Sequence, residues 1–302
     1  MRARQEPATV PGVNVLRWEL GNALRDLRIA ADMTIAQAAT ALECSDAKIS
    51  RLENGQRGAI ARDVRDLCEL YQVPKARRDE LMTMSRESRS ADRNNASTIP
   101  AKYSTFVALE ASAVNLRSYE ATLIPGLLQT ERYARTVIES NGIFSDPAEI
   151  KERIQIRMER QRRLTSRVRP LQAHFIIDEN VLWRPLGDGP EAAAAREEQL
   201  AHLVWASRLP NVTLQVIPYG AGIYQGMEAS TMVLLSLEDG TKRSTTCYLE
   251  GLIVELFLRG HSEIELISQK FERMRTLAMS PARSRAFVMR IAGGRYQHWS
   301  MH

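Results

Sequence analysis

The chain has 302 residues, of which 44% are hydrophobic and 25% are charged. One hydrophobic core seldom grows beyond roughly 250 residues, so this length predicts two domains. No apolar run approaches the roughly 20 residues that cross a bilayer, and no apolar segment follows the basic residues at the start of the chain. We therefore expect a cytoplasmic protein without a membrane partner.

The net charge of +5 is compatible with a polyanionic partner but does not identify one. Leu16 to Arg93 contain 14 basic and 13 acidic side chains, so this part of the chain is close to neutral. The three cysteines, Cys44, Cys68 and Cys247, are odd in number and widely spaced. This spacing argues against a disulfide framework or a zinc knuckle and predicts buried thiols in a reducing compartment.

The first part of the chain reads as consecutive short helices. From Leu16 to Met84 apolar residues recur at helical spacing, with breaks at Asp32, Cys44, Gly55, Gly58 and Pro74. The polar stretch from Ser85 to Pro100 loses this periodicity. We place a helical domain at residues 12–84 and a linker at residues 85–101.

The second part mixes helical and β-like patterns. We place this domain at residues 102–288, followed by a flexible tail at residues 289–302. Helices are predicted at Phe106 to Tyr119, Gly126 to Glu139, Ala148 to Thr165, Pro190 to Ser207 and Ser262 to Ala278. Strands are predicted at Leu171 to Asp178, Val212 to Pro218, Ser230 to Leu237 and Thr245 to Glu250. The predicted fold class is α+β: an all-α five-helix domain, then a mixed α+β domain with a small, mainly antiparallel sheet.

The most informative segment is Met33 to Arg57, which predicts two short helices. Thr34 is suited to cap the first helix, whose inner face carries Ile35, Ala38, Ala39 and Leu42. Ser45 is suited to cap the second helix, in which Ile49 and Leu52 face inward. The outward stripe of the second helix is formed by Asp46, Ala47, Lys48 and Arg51.

Two short helices crossing steeply, with a polar stripe near the start of the second, match the geometry that inserts a recognition helix into the major groove. The guanidinium of Arg51 can pair bidentately with guanine, and Lys48 can contact a base or a phosphate. Ser45 and the free backbone N–H groups at both helix starts suit phosphate oxygens. The alternative is an ordinary helical hairpin with a solvated charged face.

The letters ISRLENG, preceded by TIAQAATAL, resemble the Xre/Cro-type helix-turn-helix family over Leu20 to Val73. The resemblance implies base contacts by the outward stripe defined above and a structural ion pair between Arg28 and Glu53. It departs from the family at Ile35, where a glutamine is usual. Together with the helix starts, it predicts phosphate contacts by Thr34, Gln37, Ser45, Asn54 and Arg57.

From Tyr103 to Arg285 the runs SYEATLIPGLLQTERYA, RMERQRRL, IIDENVLWRPLG, PNVTLQVIPYG and CYLEG resemble the large C-terminal domain that accompanies this helix-turn-helix in regulators of high-GC bacteria. The resemblance implies no settled activity, and it implies a small acidic partner protein. Lys151 to Arg169 carry eight basic and two acidic residues. If helical, this segment presents either a solvated face or a partner or anion surface, formed by Arg157, Arg160, Arg162 and Arg163.

Enzyme motifs are missing from the sequence: we find no serine nucleophile elbow, HExxH, Walker loop or paired cysteines. The five histidines have no ligand spacing. The loop with Gly220, Gly222 and Gly226 fits neither phosphate fingerprint, and Asp178 and Glu179 should point to opposite sides of extended chain. We therefore expect no enzyme, no metal and no cofactor.

These observations predict a sequence-specific regulator that binds double-stranded DNA as a homodimer, because one recognition helix makes too few base contacts for useful specificity. The C-terminal domain would supply dimerisation and sense a small-molecule effector or a partner protein. The alternative is a protein-interaction module of a toxin-antitoxin-like pair, which binds a small acidic partner protein.

Overall fold

A computed structural model describes residues 13–55, 57–92, 101–229, 231–239, 242–251 and 255–293. It divides the chain into two compact units, residues 1–109 and residues 110–302. Among the described residues, no helix combines the length and the apolarity that crossing a membrane requires.

Five helices precede residue 93 in the described part of the N-terminal unit, as predicted. They are α1 (Val13–Ala30), α2 (Ile35–Ala41), α3 (Asp46–Glu53), α4 (Ala61–Leu70) and α5 (Lys75–Asp92). A core of fully buried side chains joins them, including Leu24, Ile49, Leu52, Leu67 and Leu81. The apolar spacing of the sequence thus corresponds to one continuous helical core.

Three of these helices end at a residue with left-handed backbone. Asp32, Glu43 and Gln72 have φ angles of 54°, 50° and 53°. The residue that follows each of them donates its N–H to the carbonyl five residues before its own position. The bond from the Cys44 N–H to the Ala39 carbonyl, for example, is 2.9 Å long. This is the Schellman pattern, which satisfies carbonyls that the helix end would leave unpaired.

The predicted linker begins too early. Its first residues belong to α5, which continues to Asp92. Ser85 and Ser88 are fully buried, and the Ser85 hydroxyl donates to the Ala59 carbonyl at 2.7 Å. Because small hydroxyl side chains can pack closely once their hydrogen bonds are satisfied, this face stays helical without apolar periodicity. Residues 93–100 lie outside the described part of the chain.

The C-terminal unit contains a six-stranded sheet within its described residues. The strands are β1 (Ala113–Glu120), β2 (Gln172–Asp178), β3 (Val212–Ile217), β4 (Thr231–Asp239), β5 (Lys242–Glu250) and β6 (Glu255–Leu258). Their order is β3-β2-β1-β4-β5-β6. β1 pairs in parallel with β2, and β2 with β3, whereas the other three pairings are antiparallel. The α+β class is confirmed, but the sheet is mixed rather than mainly antiparallel.

Helices connect and flank these strands. They are α6 (Ala101–Ser112), which crosses the boundary of the two units, α7 (Glu131–Ser140), α8 (Pro147–Thr165), α9 (Asn180–Trp183), α10 (Pro190–Ala206), α11 (His261–Leu277) and α12 (Pro281–Ala292). Phe271 and Met274 of α11 pack with Tyr119, Ile176 and Ile217 of the parallel strands. Met232 and Leu234 of β4 and Cys247 of β5 belong to the same core, so parallel and antiparallel strands both contribute to it.

One predicted helix is half wrong. The sequence predicts a helix from Phe106 to Tyr119, but the helix ends at Ser112 and β1 begins at Ala113. β1 lies in the middle of the sheet, and its last three residues are all buried. A strand buried on both faces shows no alternation, so its pattern does not differ from that of a buried helix. The predicted tail also starts too early, because α12 continues to Ala292.

Candidate nucleic-acid interface

Helix α3 exposes three of the four residues of the predicted outward stripe, and the fourth, Lys48, is half-buried. Ser45 is its N-cap and accepts the Lys48 N–H at 3.2 Å. Ile49 and Leu52 are buried, whereas the exposed positions are Ser45, Asp46, Ala47 and Arg51. Asp46 is the first residue of the helix rather than its cap, which leaves its carboxylate on the surface.

A close approach of two helices positions α3. A Cβ atom at Gly21 of α1 would lie 2.4 Å from the Leu52 carbonyl oxygen and 2.8 Å from that of Glu53. Gly55, which follows α3, has a φ of 66°, and a Cβ there would lie 2.9 Å from the Trp18 Cα. Both glycines are required by contact with backbone. Sequence reasoning identified Gly55 only as a break and missed Gly21.

Arg28 and Glu53 are brought together in this unit. The guanidinium donates to both carboxylate oxygens at 2.7 and 2.9 Å, and also to the Met33 carbonyl at 2.7 Å. Both residues are buried, and the hydrogen bond to Glu53 raises the pKa of Arg28. These paired charges join α1 to α3 within the buried part of the unit.

Thr34 and Gln37 form a capping box at the start of α2. The Thr34 hydroxyl oxygen accepts the Gln37 N–H at 3.2 Å, while the Gln37 side-chain oxygen accepts the Thr34 N–H at 2.8 Å. Only the oxygen of the Gln37 amide takes part in the box, so its nitrogen remains available as a donor. Ile35 packs against the core and offers no such donor.

Asn54 and Arg57 follow α3, and both are exposed. Asn54 caps the end of the helix, and its amide donates to the Ser50 hydroxyl at 3.3 Å. The Arg57 N–H donates to the Arg51 carbonyl at 3.0 Å, and the Arg57 side chain is exposed. The structure thus keeps both side chains on the surface next to the end of α3.

The two basic residues of the stripe differ in their surroundings. Arg51 is exposed, and its Nε donates to the Ala47 carbonyl one turn earlier at 3.1 Å. The Lys48 ammonium lies 2.7 Å from Oδ1 of Asp63, the third residue of α4. The predicted base-facing role of Lys48 does not agree with this ion pair. Sequence reasoning missed Asp63 because it lies 15 residues away on another helix.

Comparison with known families covers both units. Residues 103–290 match the family model described as "Domain of unknown function (DUF5753)". The chain belongs to the DUF5753 family. Residues 19–81 match the model described as "Helix-turn-helix domain". No curated protein and no solved structure matches the chain. A DUF5753 domain thus follows an N-terminal helix-turn-helix domain, an architecture that supports a DNA-binding regulator.

The arginines of α8 do not form the exposed surface that the sequence predicts for the DUF5753 domain. The Arg160 side chain is only 9% exposed, and its guanidinium donates to both carboxylate oxygens of Glu110 at 2.6 and 2.8 Å. Arg162 is the exception, since its side chain is 77% exposed and pairs with Glu159 on the same helix. The inner face of α8 therefore includes a charged side chain that is paired within the same unit.

Two further arginines of α8 also bind inside the DUF5753 domain. Arg157 donates to the Gln129 side-chain oxygen at 2.8 Å. Arg163 donates to the carbonyls of Ala111 and Ala113, both at 2.6 Å, and burial lowers its pKa. Because these acceptors are carbonyls and side chains of distant segments, the prediction of a partner or anion surface at Arg157, Arg160 and Arg163 is wrong.

Asp178 and Glu179 have separate structural roles. Asp178 accepts the Tyr224 hydroxyl at 2.6 Å, and Tyr224 contacts the Tyr119 hydroxyl at 2.7 Å. Glu179 instead accepts the indole N–H of Trp183 at 3.0 Å. The loop with three glycines therefore inserts Tyr224 into the core. The two carboxylates do not face a common reacting centre, and no group of three metal-ligating side chains occurs among the described residues.

Glu120 at the end of β1 is the titratable group with the clearest consequence for stability. Its carboxylate accepts the Thr231 hydroxyl at 2.7 Å. Burial raises the pKa of Glu120 to about 8, and the nearby Glu250 adds to this effect, while Thr231 and Arg157 oppose it. The folded state thus binds a proton that the unfolded chain releases near pH 4.5.

This shift predicts the direction of the pH dependence. The favourable contribution of protonated Glu120 is complete below the unfolded pKa and is lost as the pH rises to about 8. Glu120→Gln removes that titration, so we expect its free energy of unfolding to fall less than that of wild type between these values. Urea unfolding at a series of pH values measures the difference. Parallel curves for the two proteins would contradict the assignment.

Proposed function

We propose that this protein is a DNA-binding transcription regulator of the Xre/Cro type from a high-GC bacterium. The observation that carries the proposal is the exposed stripe of α3 on a buried helical core. Side chains suited to phosphate contacts flank that stripe on both sides, at the start of α2 and after the end of α3. In this arrangement α3 enters the major groove.

In the proposed complex, bases are contacted by Asp46, Ala47 and Arg51. Arg51 pairs with guanine, and Asp46 accepts from a cytosine amino group. Phosphates are contacted by Thr34, Gln37, Ser45, Asn54 and Arg57. Arg28 and Glu53 contact no DNA, because each is committed to the other.

The regulator acts as a homodimer, because a two-fold pair of recognition helices doubles the number of base contacts. The DUF5753 domain supplies dimerisation and senses an effector or a partner protein. The inward arginines of α8 give no support to an acidic partner at that helix, so no interaction module is proposed there. The regulator needs no metal or cofactor, has no catalytic activity and works in the cytoplasm.

Selection of DNA from a random pool by the full-length protein tests this function. A palindrome with half-sites about one helical turn apart is the expected product, because a two-fold dimer presents its helices at that spacing. A single enriched half-site would contradict the homodimer alone. If nothing is enriched above the input pool, the proposed function is wrong.

Variants of Arg51 and Arg57 distinguish a contact with a base from a contact with a phosphate. Arg51→Ala should weaken binding to the selected site by about 1–3 kcal/mol and relax selectivity at one base pair. Arg57→Ala should weaken binding to all sequences about equally and lower the salt slope by about 0.9. Fluorescence anisotropy with the selected duplex and a random duplex measures both effects. Equal behaviour of the two variants would contradict the assignment of their contacts.

A further inference from the structure

The side chain of Lys48 belongs to the recognition helix but is held by a different helix. Its ammonium lies 2.7 Å from Oδ1 of Asp63, and the Asp63 side chain is only 7% exposed. The other carboxylate oxygen of Asp63 accepts the Ile60 N–H at 3.4 Å, at the start of α4. Asp63 is thus fixed by its own helix and by Lys48 at the same time.

Two competing partners decide where the Lys48 ammonium lies when DNA is near. A phosphate contact would gain mainly from the release of a counterion, and this gain falls as the salt concentration rises. Moving the ammonium to a phosphate would leave the Asp63 carboxylate buried without its cation, which is strongly unfavourable. The balance therefore favours retention of the Lys48–Asp63 pair in the complex.

We propose that Asp63 is a positioning residue that keeps Lys48 off the DNA phosphates. This inference rests on the proposed function and deepens it. One non-specific contact is thereby removed from α3, which reads DNA through Asp46, Ala47 and Arg51. Since phosphate contacts add affinity for every sequence, their removal raises the ratio of specific to non-specific binding.

The test measures binding of the full chain to a random-sequence duplex between about 50 and 200 mM salt. Asp63→Asn keeps the shape of the side chain and an oxygen that can accept the Ile60 N–H, but it releases Lys48. We expect the slope of log affinity against log salt to steepen by about 0.9. Over this range the affinity then falls about threefold more than in wild type.

Two controls exclude a simple effect of charge. Glu69→Gln removes one negative charge from the exposed side of the same helix, and it should leave the slope unchanged. The double variant Lys48→Met with Asp63→Asn removes both partners and leaves no unpaired buried charge. Its slope should equal that of wild type. A merely structural role of Asp63 could lower affinity or stability but would not produce an additional phosphate contact that depends on Lys48.

Several results would overturn the proposal. They are an unchanged slope for Asp63→Asn, an equal steepening for Glu69→Gln, and a steeper slope that persists in the double variant. If Asp63→Asn does not fold, the double variant still tests the proposal. A slope about 0.9 shallower than that of wild type would show that Lys48 contacts a phosphate in the wild-type complex, which would overturn the proposal. Absence of DNA binding by wild type would contradict the proposed function itself, before any variant is compared.

Discussion

Replacing Arg160 with methionine is expected to destabilise the C-terminal unit by about 3–5 kcal/mol. The guanidinium donates to both oxygens of Glu110, and the two side chains are 9% and 3% exposed. Methionine fills a similar volume but leaves the Glu110 carboxylate buried without a cation. Such a charge costs far more than the loss of one surface ion pair. Urea unfolding of the full chain, with hydrogen exchange to resolve the units, measures the change.

Arg162 provides a matched control on the same helix. It is exposed and pairs with Glu159 one turn away. Arg162→Met should change the stability by less than about 0.5 kcal/mol. Replacing both Arg160 and Glu110 with methionine should recover most of the loss, because no unpaired charge remains. Similar costs for Arg160→Met and Arg162→Met would contradict the buried position of Arg160.

Replacing Gly21 with alanine is expected to destabilise the helix-turn-helix unit by about 1–3 kcal/mol. The new Cβ would lie 2.4 Å from the Leu52 carbonyl oxygen, so α1 and α3 must separate. In a helix with open space around it, a change from glycine to alanine instead stabilises by roughly 0.5–1 kcal/mol. At Gly21 the clash outweighs this gain, since the new Cβ would meet backbone atoms of α3, which cannot rotate away. A measured loss of stability would therefore indicate the clash.

Hydrogen exchange of peptides from α1 and α3 measures this loss in the full chain. DNA affinity should fall together with protection, because the separation displaces the recognition helix. Ile29→Ala is the control, since Ile29 is exposed on the same helix and its truncation should have little effect. Increased protection in Gly21→Ala would show that α1 and α3 do not pack as described.

Local signals explain why the helix-turn-helix was predictable in detail. Thr34 and Ser45 lie next to the helices that they cap, and Ile49 and Leu52 are three residues apart on one buried face. Caps and apolar spacing act within one or two turns of helix, so a short window of sequence contains them. The DNA contacts inferred from this window remain a proposal.

Interactions between segments that are distant in sequence explain why some predictions were wrong. β1 resembles a helix in sequence because its last three residues, which alternate between the two faces of the sheet, are all buried. Arg160 resembles a surface arginine because its acceptor, Glu110, lies 50 residues earlier. The sequence does not show whether a charged side chain is solvated or paired, because this depends on its neighbours in the folded structure.

The sequence by itself determined the order of the two domains, the caps and inner face of α2 and α3, the exposed stripe and the α+β class. Only the tertiary structure decided the mixed sheet, the pairing of the α8 arginines within their own unit, the approach of α1 to α3 at Gly21 and the ion pair between Lys48 and Asp63. The first group depends on hydrogen bonds and apolar spacing between near neighbours in the chain. The second depends on the burial and pairing of groups that the fold brings together from distant positions.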